Sequence, residues 1–396
     1  MSGPPPLIPY GRHDIDDSDV AEVVRVLRSD WLTTGPDVAA FEEELAARVG
    51  AKHAIVVNNA TSALHLAMRV AGIGTGDRVL TSANTFLASA NCAAYVGATP
   101  DFADIDPRTY NVSPDSLQHA WKDDVRAVVA VDFAGQPCEL PAISKLARER
   151  NAVLIDDASH AIGATLDHEG SRYSIGANPW ADMTVFSFHP VKTLTTGEGG
   201  ALLTDNDDYA DRARRLRSHG IVREQAQFLG LGAGMDEFGP WHYEMHDLGY
   251  NYRITDIQCA LGRSQLRRLS RFVARRSEIV KCYNEAFCDI QSVTTPDAEG
   301  RAQPSWHLYV LQIDFECIGK TRTEVMLQLR THGIGSQVHY IPVHLQPYYR
   351  QTYGYAPGKC RIAEEYYTRC LSLPLFPGMS DDDVKAVIKA VKVTLR

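Results

Sequence analysis

The 396 residues carry a net charge of −9 with 44% apolar residues, the balance of a globular chain long enough for one large and one small domain. Mild acidity argues against nucleic acid as a partner, because phosphate binding needs a concentrated basic face. No apolar run approaches the span of a bilayer, residues 1–9 lack the basic-then-apolar order of a secretory signal, and the 8 cysteines show no paired C-x-x-C spacing; the expectation is a cytoplasmic protein with reduced thiols, no metal site and no membrane partner.

After a Pro-rich lead, Ser18 is expected to cap a helix whose Val20, Val23, Val24 and Leu27 share one face. Trp31-Leu32-Thr33-Thr34-Gly35-Pro36 breaks it, and Val38, Phe41, Leu45 and Val49 mark the inner face of a second helix. From residue 54 strands and helices alternate. Strands are predicted over 54–57, 78–81, 100–103, 127–131, 153–155 and 183–186, with helices over 61–71 and 86–96. That alternation predicts an α/β fold with a largely parallel sheet covered on both faces, and ligands beyond the strand carboxyl ends. Residues 223–247, with Gly230, Gly232, Gly234 and Gly239, have no period and read as a long functional loop. Helices follow over 254–269 and 272–287. Beyond about Arg271 the rhythm changes: strands over 308–313 and 335–339, helices over 323–332, 363–370 and 381–393. This is a smaller mixed α/β domain, so the expected division is 1–270 and 271–396.

The chemistry-bearing residues fall at the strand-to-helix junctions. Asn59-Ala60-Thr61-Ser62 opens a helix, where free amides, the positive dipole end and two hydroxyls suit a phosphate. Plain N-capping by Thr61 or Ser62 is compatible with that. Phe86 sits at the next junction, where core packing is the commoner fate of a phenylalanine. Asp156-Asp157 ends an apolar run, and a buried carboxylate needs a partner. With His160 the pair would make a metal cluster, but further ligands are not apparent. The stretch Ser187-Phe188-His189-Pro190-Val191-Lys192-Thr193-Leu194-Thr195-Thr196-Gly197-Glu198-Gly199-Gly200 places one lysine at a strand end beside hydroxyls and a glycine-rich turn. An amine attacks a carbonyl only when neutral, and desolvation near positive charge lowers a lysine pKa enough for that; a solvated surface lysine is the plain alternative. Gly72-Ile73-Gly74-Thr75-Gly76-Asp77 looks like a dinucleotide fingerprint, but it follows a helix and precedes a strand, the reverse of what a pyrophosphate turn requires. A helix stop is the better reading.

These motifs, with Leu248-Gly249-Tyr250-Asn251-Tyr252-Arg253 and Gln337-Val338-His339-Tyr340, resemble the DegT/DnrJ/EryC1/StrS family of pyridoxal-phosphate (PLP)-dependent nucleotide-sugar aminotransferases along nearly the whole chain. The resemblance implies the fold-type I, aspartate aminotransferase-like architecture with a mainly parallel seven-stranded sheet. It implies that Lys192 bonds the cofactor and moves the proton, that Asp157 pairs with the pyridine nitrogen, and that Phe86 and His160 cover the two ring faces. Thr61, Ser62 and Ser187 would hold the phosphate. Asn251 would reach the phosphate of a neighbouring subunit, which makes a homodimer with shared sites. Tyr10, Thr33, His339 and Tyr340 are the implied substrate contacts, with His344 as a further one, although each also fits simple packing of a terminus, a strand or its turn. Glutamate is the implied amino donor. The segments Val131-Asp132-Phe133-Ala134-Gly135, Thr195-Thr196-Gly197-Glu198-Gly199-Gly200 and Val338-His339-Tyr340-Ile341-Pro342 are most similar to members that aminate C4 of a UDP-linked 4-keto-6-deoxy-N-acetyl sugar on the pseudaminic-acid route. Other 3- or 4-keto nucleotide sugars, a nicotinamide oxidoreductase and a catalytically idle PLP-binding regulator are the alternatives; a related dehydratase would carry histidine where Lys192 stands.

Overall fold

The computed structural model describes residues 7–177, 179–231, 238–297, 300 and 302–396. Part of the loop expected over 223–247, including Gly232 and Gly234, and most of the Pro-rich lead lie outside them. Seven strands form the central sheet: β1 (His53–Val57), β2 (Arg78–Ser82), β3 (Thr99–Ala103), β4 (Val125–Val131), β5 (Val153–Asp157), β6 (Met183–Ser187) and β7 (Gly200–Thr204). Their order is β1-β7-β6-β5-β4-β2-β3. β7 runs antiparallel to β1 and β6, and the remaining pairs are parallel.

The strand runs are continuously apolar because both sheet faces are covered. Successive residues of β4 show it: Val128 packs with Phe41, Leu45 and Phe186 on one face, and Val129 with Leu64, Leu66 and Leu202 on the other. Phe41, Leu45 and Val49 point inward from helix Pro36–Val49, as their spacing predicts. The helix over Ala60–Val70 ends at Ala71, and Gly72 follows with φ of +75°. That left-handed residue is the helix stop expected there.

Three expectations need correction. The first helix, Asp17–Leu27, is capped by Asp16 rather than Ser18, and Val20 and Leu27 are exposed. Its inner face carries a carboxylate: Asp19 is buried, accepts from Gln265 Nε2 at 2.7 Å and pairs with Arg268. Residues 335–339 form no strand. Gln337 makes a single bridge with Ser372, after which the Tyr366 hydroxyl takes the His339 carbonyl and Asn84 takes the Tyr340 amide, so no ladder propagates. Helices Leu140–Glu149 and Asp207–Arg217 and strand β7 were not anticipated.

A separate apolar cluster gathers around the second half of the long helix Leu269–Phe287. Tyr283, Phe287, Tyr309, Leu311, Val325 and Leu371 pack there around strands Tyr309–Ile313 and Cys370–Leu373. The C-terminal part is also tied to the sheet by charge. Asp101 on β3 is 1% exposed and meets Arg78 Nη1 at 3.0 Å, Lys122 Nζ at 2.8 Å and Lys359 Nζ at 2.8 Å. Burial opposes its ionisation, but Lys122 and Lys359 outweigh that and hold the carboxyl at about 2. Asp101→Asn is therefore expected to cost about 3 kcal/mol at pH 7, as loss of one partner from a buried charge cluster does. The folded pKa lies below the unfolded one, so this stabilisation is complete above about pH 4 and lost as pH falls toward 2. Urea midpoints of both proteins across that window test it; a constant gap between them down to pH 2 would contradict the assignment. Among the described residues no helix is long and apolar enough to cross a membrane.

Candidate active site

A cavity of about 760 Å³ opens at the carboxyl ends of β4, β5 and β6, where Val131, Asp157 and Ser187 line it. Tyr10, Thr61, Ser62, Phe86, His160, Lys192, His339 and Tyr340 complete the set of expected residues that it brings together. Thr33 and Asn251 do not line it. Thr33 is exposed and bridged to Thr255, and Asn251 is exposed and bridged to Ser218. His344 does not line it either: it is buried, with Nε2 2.8 Å from Glu364 Oε1. A second cavity of about 660 Å³ lies between helix Leu140–Glu149 and the hairpin over 165–174, away from these groups.

One end of the main cavity is a helix start. Asn59 Oδ1 accepts the Ser62 amide at 2.8 Å, which fixes the first turn of Ala60–Val70 and turns its positive end toward the cavity. Ser187, the last residue of β6, lies opposite Gly200, the first of β7. A Cβ on Gly200 would stand 2.5 Å from Ala60 N and 2.6 Å from Asn59 C. Only glycine lets β7 run against the helix start and bring Ser187 beside Thr61 and Ser62. Three hydroxyls around a helix N-terminus are a donor set suited to a phosphate.

The floor carries the charged pair. Asp157, 4% exposed, accepts from Ser89 Oγ at 2.6 Å on one oxygen, and from Ser159 Oγ at 2.6 Å and Ser159 N at 3.2 Å on the other. Thr85 supports Ser89 at 2.7 Å. Burial of the Lys192 ammonium lowers its pKa, Asp157 opposes the shift, and the balance falls at about 8. His160 Nδ1 accepts from Ala134 N–H at 3.2 Å, so the neutral ring carries its proton on Nε2, 3.4 Å from the Tyr340 hydroxyl. Burial, then Lys192 and His339, push the His160 pKa well below the ordinary value, which keeps the ring neutral.

Phe86 is 57% exposed, so its ring lines the cavity and is not spent in the core; its centroid is 6.3 Å from that of Tyr340. His339 Nδ1 meets Ser372 Oγ at 2.8 Å, and burial takes its pKa to about 4. Tyr10 leans on it, centroids 5.4 Å apart. The residues that the sequence reading passed over are Thr85, Ser89, Ser159, Tyr252 and His307. Ser159 lies between Asp157 and His160, and Tyr252 lies beside Asn251, all of them residues singled out above. Ser89 and His307 carry no local signal, because only the fold brings them to the floor and wall.

The carboxylate under a desolvated lysine, beside a three-hydroxyl cradle, fits PLP: Asp157 for the pyridine nitrogen, Lys192 for the aldehyde carbon, and Thr61, Ser62 and Ser187 for the phosphate. Comparison with known proteins gives the same cofactor. Residues 13–392 match the DegT/DnrJ/EryC1/StrS aminotransferase family. The spore coat polysaccharide biosynthesis protein SpsC of Bacillus subtilis is 43% identical over 387 residues, 98% of this chain and 96% of SpsC. Among solved structures, Helicobacter pylori PseC, an aminotransferase of pseudoaminic acid biosynthesis, superposes with a TM-score of 0.88 at 29% identity, covering 98% of this chain and 99% of PseC. Spr1654 of Streptococcus pneumoniae superposes in its PLP form with a TM-score of 0.87 at 28% identity, covering 98% of both chains, and is also known in a PMP form. The chain belongs to the DegT/DnrJ/EryC1/StrS aminotransferase family and is a PLP-dependent sugar aminotransferase.

Proposed function

We propose that the enzyme moves an amino group from L-glutamate to C4 of a UDP-linked 4-keto-6-deoxy-N-acetyl sugar, in pseudaminic-acid biosynthesis. The observation that carries the reading is Lys192, desolvated to a pKa of about 8, over the hydrogen-bonded Asp157 in a cavity sized for a cofactor and a sugar. PLP, when bound, supplies the carbonyl that exchanges the amino group and an electron sink for the carbon that loses its proton. Lys192 would hold the cofactor covalently and, once released, would serve as the base and acid that moves the proton of the reacting carbon. Asp157, whose oxygens Ser89 and Ser159 fix, would balance the charge on the ring nitrogen. The neutral His160 and Phe86 would cover the two faces of the ring, His160 without adding charge, and Tyr10, His339 and Tyr340 line the cavity where the sugar would be met. The likeness to PseC supports this sugar class.

A homodimer belongs to the same reading. Trp31, Leu32, Trp241 and Leu248 are exposed apolar side chains in the segments that hold Thr33 and Asn251, and a second copy of the chain would cover them and bring Asn251 to its phosphate site. The same reading divides large and small domains at 270/271, near the start of the helix Leu269–Phe287, whose residues from Ile279 onward join the C-terminal cluster. A cytoplasmic setting accompanies them. The 43% identity to SpsC favours a second reading, a different nucleotide-linked keto sugar destined for a surface polysaccharide.

The visible spectrum of the holoenzyme tests these readings. Glutamate is expected to bleach the cofactor band and the UDP-linked 4-keto sugar to restore it. Bleaching without restoration by that sugar, but with restoration by another keto sugar nucleotide, would move the assignment to the second reading. No response to glutamate would reject the donor.

A further inference from the structure

An amino acid brings a carboxylate beside its reacting amine, and that charge has to be met inside the cavity. Within one protomer no arginine is among the described residues that line it, and its one lysine, Lys192, is assigned to the cofactor. The wall offers imidazoles instead. His160 is engaged through both nitrogens, by Ala134 N–H and Tyr340, and His339 holds Ser372. His307 differs. It lines the cavity, is 4% exposed, and its Nδ1 has no hydrogen-bond partner among the described residues.

Its placement is firm. Ala134 donates its N–H to His160 Nδ1 and accepts the His307 N–H at 2.8 Å, so one residue positions both rings, whose centroids are 4.4 Å apart. A Cβ on the next residue, Gly135, would lie 2.8 Å from Trp306 N and 2.9 Å from His307 N, so glycine is needed for this backbone approach. Beneath lies Arg276, fully buried, with Nη1 donating to the carbonyls of Trp306 at 3.2 Å, His307 at 3.2 Å and Leu375 at 2.9 Å. No carboxylate pairs with it among the described residues. Burial draws its pKa down to about 10, which still leaves it a cation at neutral pH. The hollow at His307 is therefore electropositive and lacks its anion.

We propose that His307, above the buried Arg276, is the subsite that receives the α-carboxylate of the amino donor. The assignment rests on the aminotransferase reading. Besides burial, the charged and titratable groups that bear on the empty ring are His160, Lys192, Arg276 and His339, all basic, and they keep it neutral. A carboxylate reverses that field and stabilises the imidazolium, so donor binding takes up one proton from solvent, which forms the second N–H of the ring. Donor affinity accordingly falls as pH rises above the pKa of the bound state.

His307→Gln keeps a hydrogen-bond donor but accepts no proton. In the holoenzyme, the concentration of L-glutamate giving half-maximal bleaching is expected to rise about tenfold or more, the loss typical of a charge-assisted hydrogen bond, and to lose its pH dependence. The keto-sugar half reaction is expected to stay as in wild type. Calorimetry of 2-oxoglutarate binding to the wild-type PLP form, in two buffers of different ionisation enthalpy, supplies a readout that needs no variant. Net proton uptake supports the subsite, and its absence overturns it. An unchanged glutamate dependence in His307→Gln, or an equal loss in both half reactions, also overturns it. If glutamate fails to bleach even the wild-type enzyme, the donor reading falls with it.

Discussion

A Lys192→Ala protein is expected to fold, to bind PLP weakly and reversibly, and to turn over at least about 10⁴-fold more slowly than wild type, since one residue supplies both the covalent hold and the proton transfer. The size follows from the protonation of the amine. An unperturbed lysine is neutral in about one molecule per thousand near pH 7.5, whereas a pKa of about 8 leaves roughly a quarter neutral. Desolvation thus raises the nucleophilic fraction by about two orders of magnitude, with Asp157 limiting how far the shift goes. Two measurements bear on it. The rate of covalent PLP attachment to the cofactor-free wild type is expected to rise with pH through about 8 and then level. In the alanine variant, an added small primary amine is expected to restore part of the proton transfer. Activity within tenfold of wild type would remove Lys192 from the mechanism, and an attachment rate still climbing at pH 10 would remove the desolvation argument.

Asp157→Asn is the second large effect. The carboxylate lies 4% exposed, its oxygens fixed by Ser89 at 2.6 Å and Ser159 at 2.6 Å. Asparagine preserves the shape but removes the charge that keeps the ring nitrogen protonated, and one side-chain amide N–H would then face a serine hydroxyl. The expected loss is about 10² to 10³ in kcat, the scale of one preorganised electrostatic contact. PLP affinity is expected to drop far less, because the phosphate cradle at Thr61, Ser62 and Ser187 is untouched. Equal losses in kcat and in cofactor affinity would show that Asp157 binds the cofactor without tuning it. Ser89→Ala and Ser159→Ala separate the positional from the electrostatic contribution.

Much of this site is visible in the amino-acid order because its members sit where a strand gives way to a helix or turn. Thr61, Asp157 and Ser187 each follow an apolar run of about strand length, and a doubly covered parallel sheet brings such ends to one edge. What stayed hidden depends on tertiary contacts. β7 opens with Gly200, the last glycine of the lysine turn, so its strand character was masked by a residue that close approach to Ala60 requires. Ser89 reaches Asp157, 68 positions away in the chain, only through the tertiary fold. His307 comes from the C-terminal half, and nothing near it in the sequence points toward Arg276 or Ala134. The segment over 335–339 misled in the other direction: its extended pattern was real, but side chains claim its backbone groups where a ladder was expected.

The pairing of Ser187 with Gly200 also bears on what happens when cofactor is absent. Both feet of the lysine segment are stitched to adjacent strands, and within it Phe188 N donates to Gly199 O and Thr196 N to Phe188 O. The segment is a closed loop of chain whose ends cannot separate without unzipping the sheet, so most of its ordering entropy is met when the sheet forms and not when a ligand arrives. The lysine segment is therefore assembled in advance of its ligand, and release of PLP from Lys192, the residue proposed to hold it, would leave the surrounding strands in register.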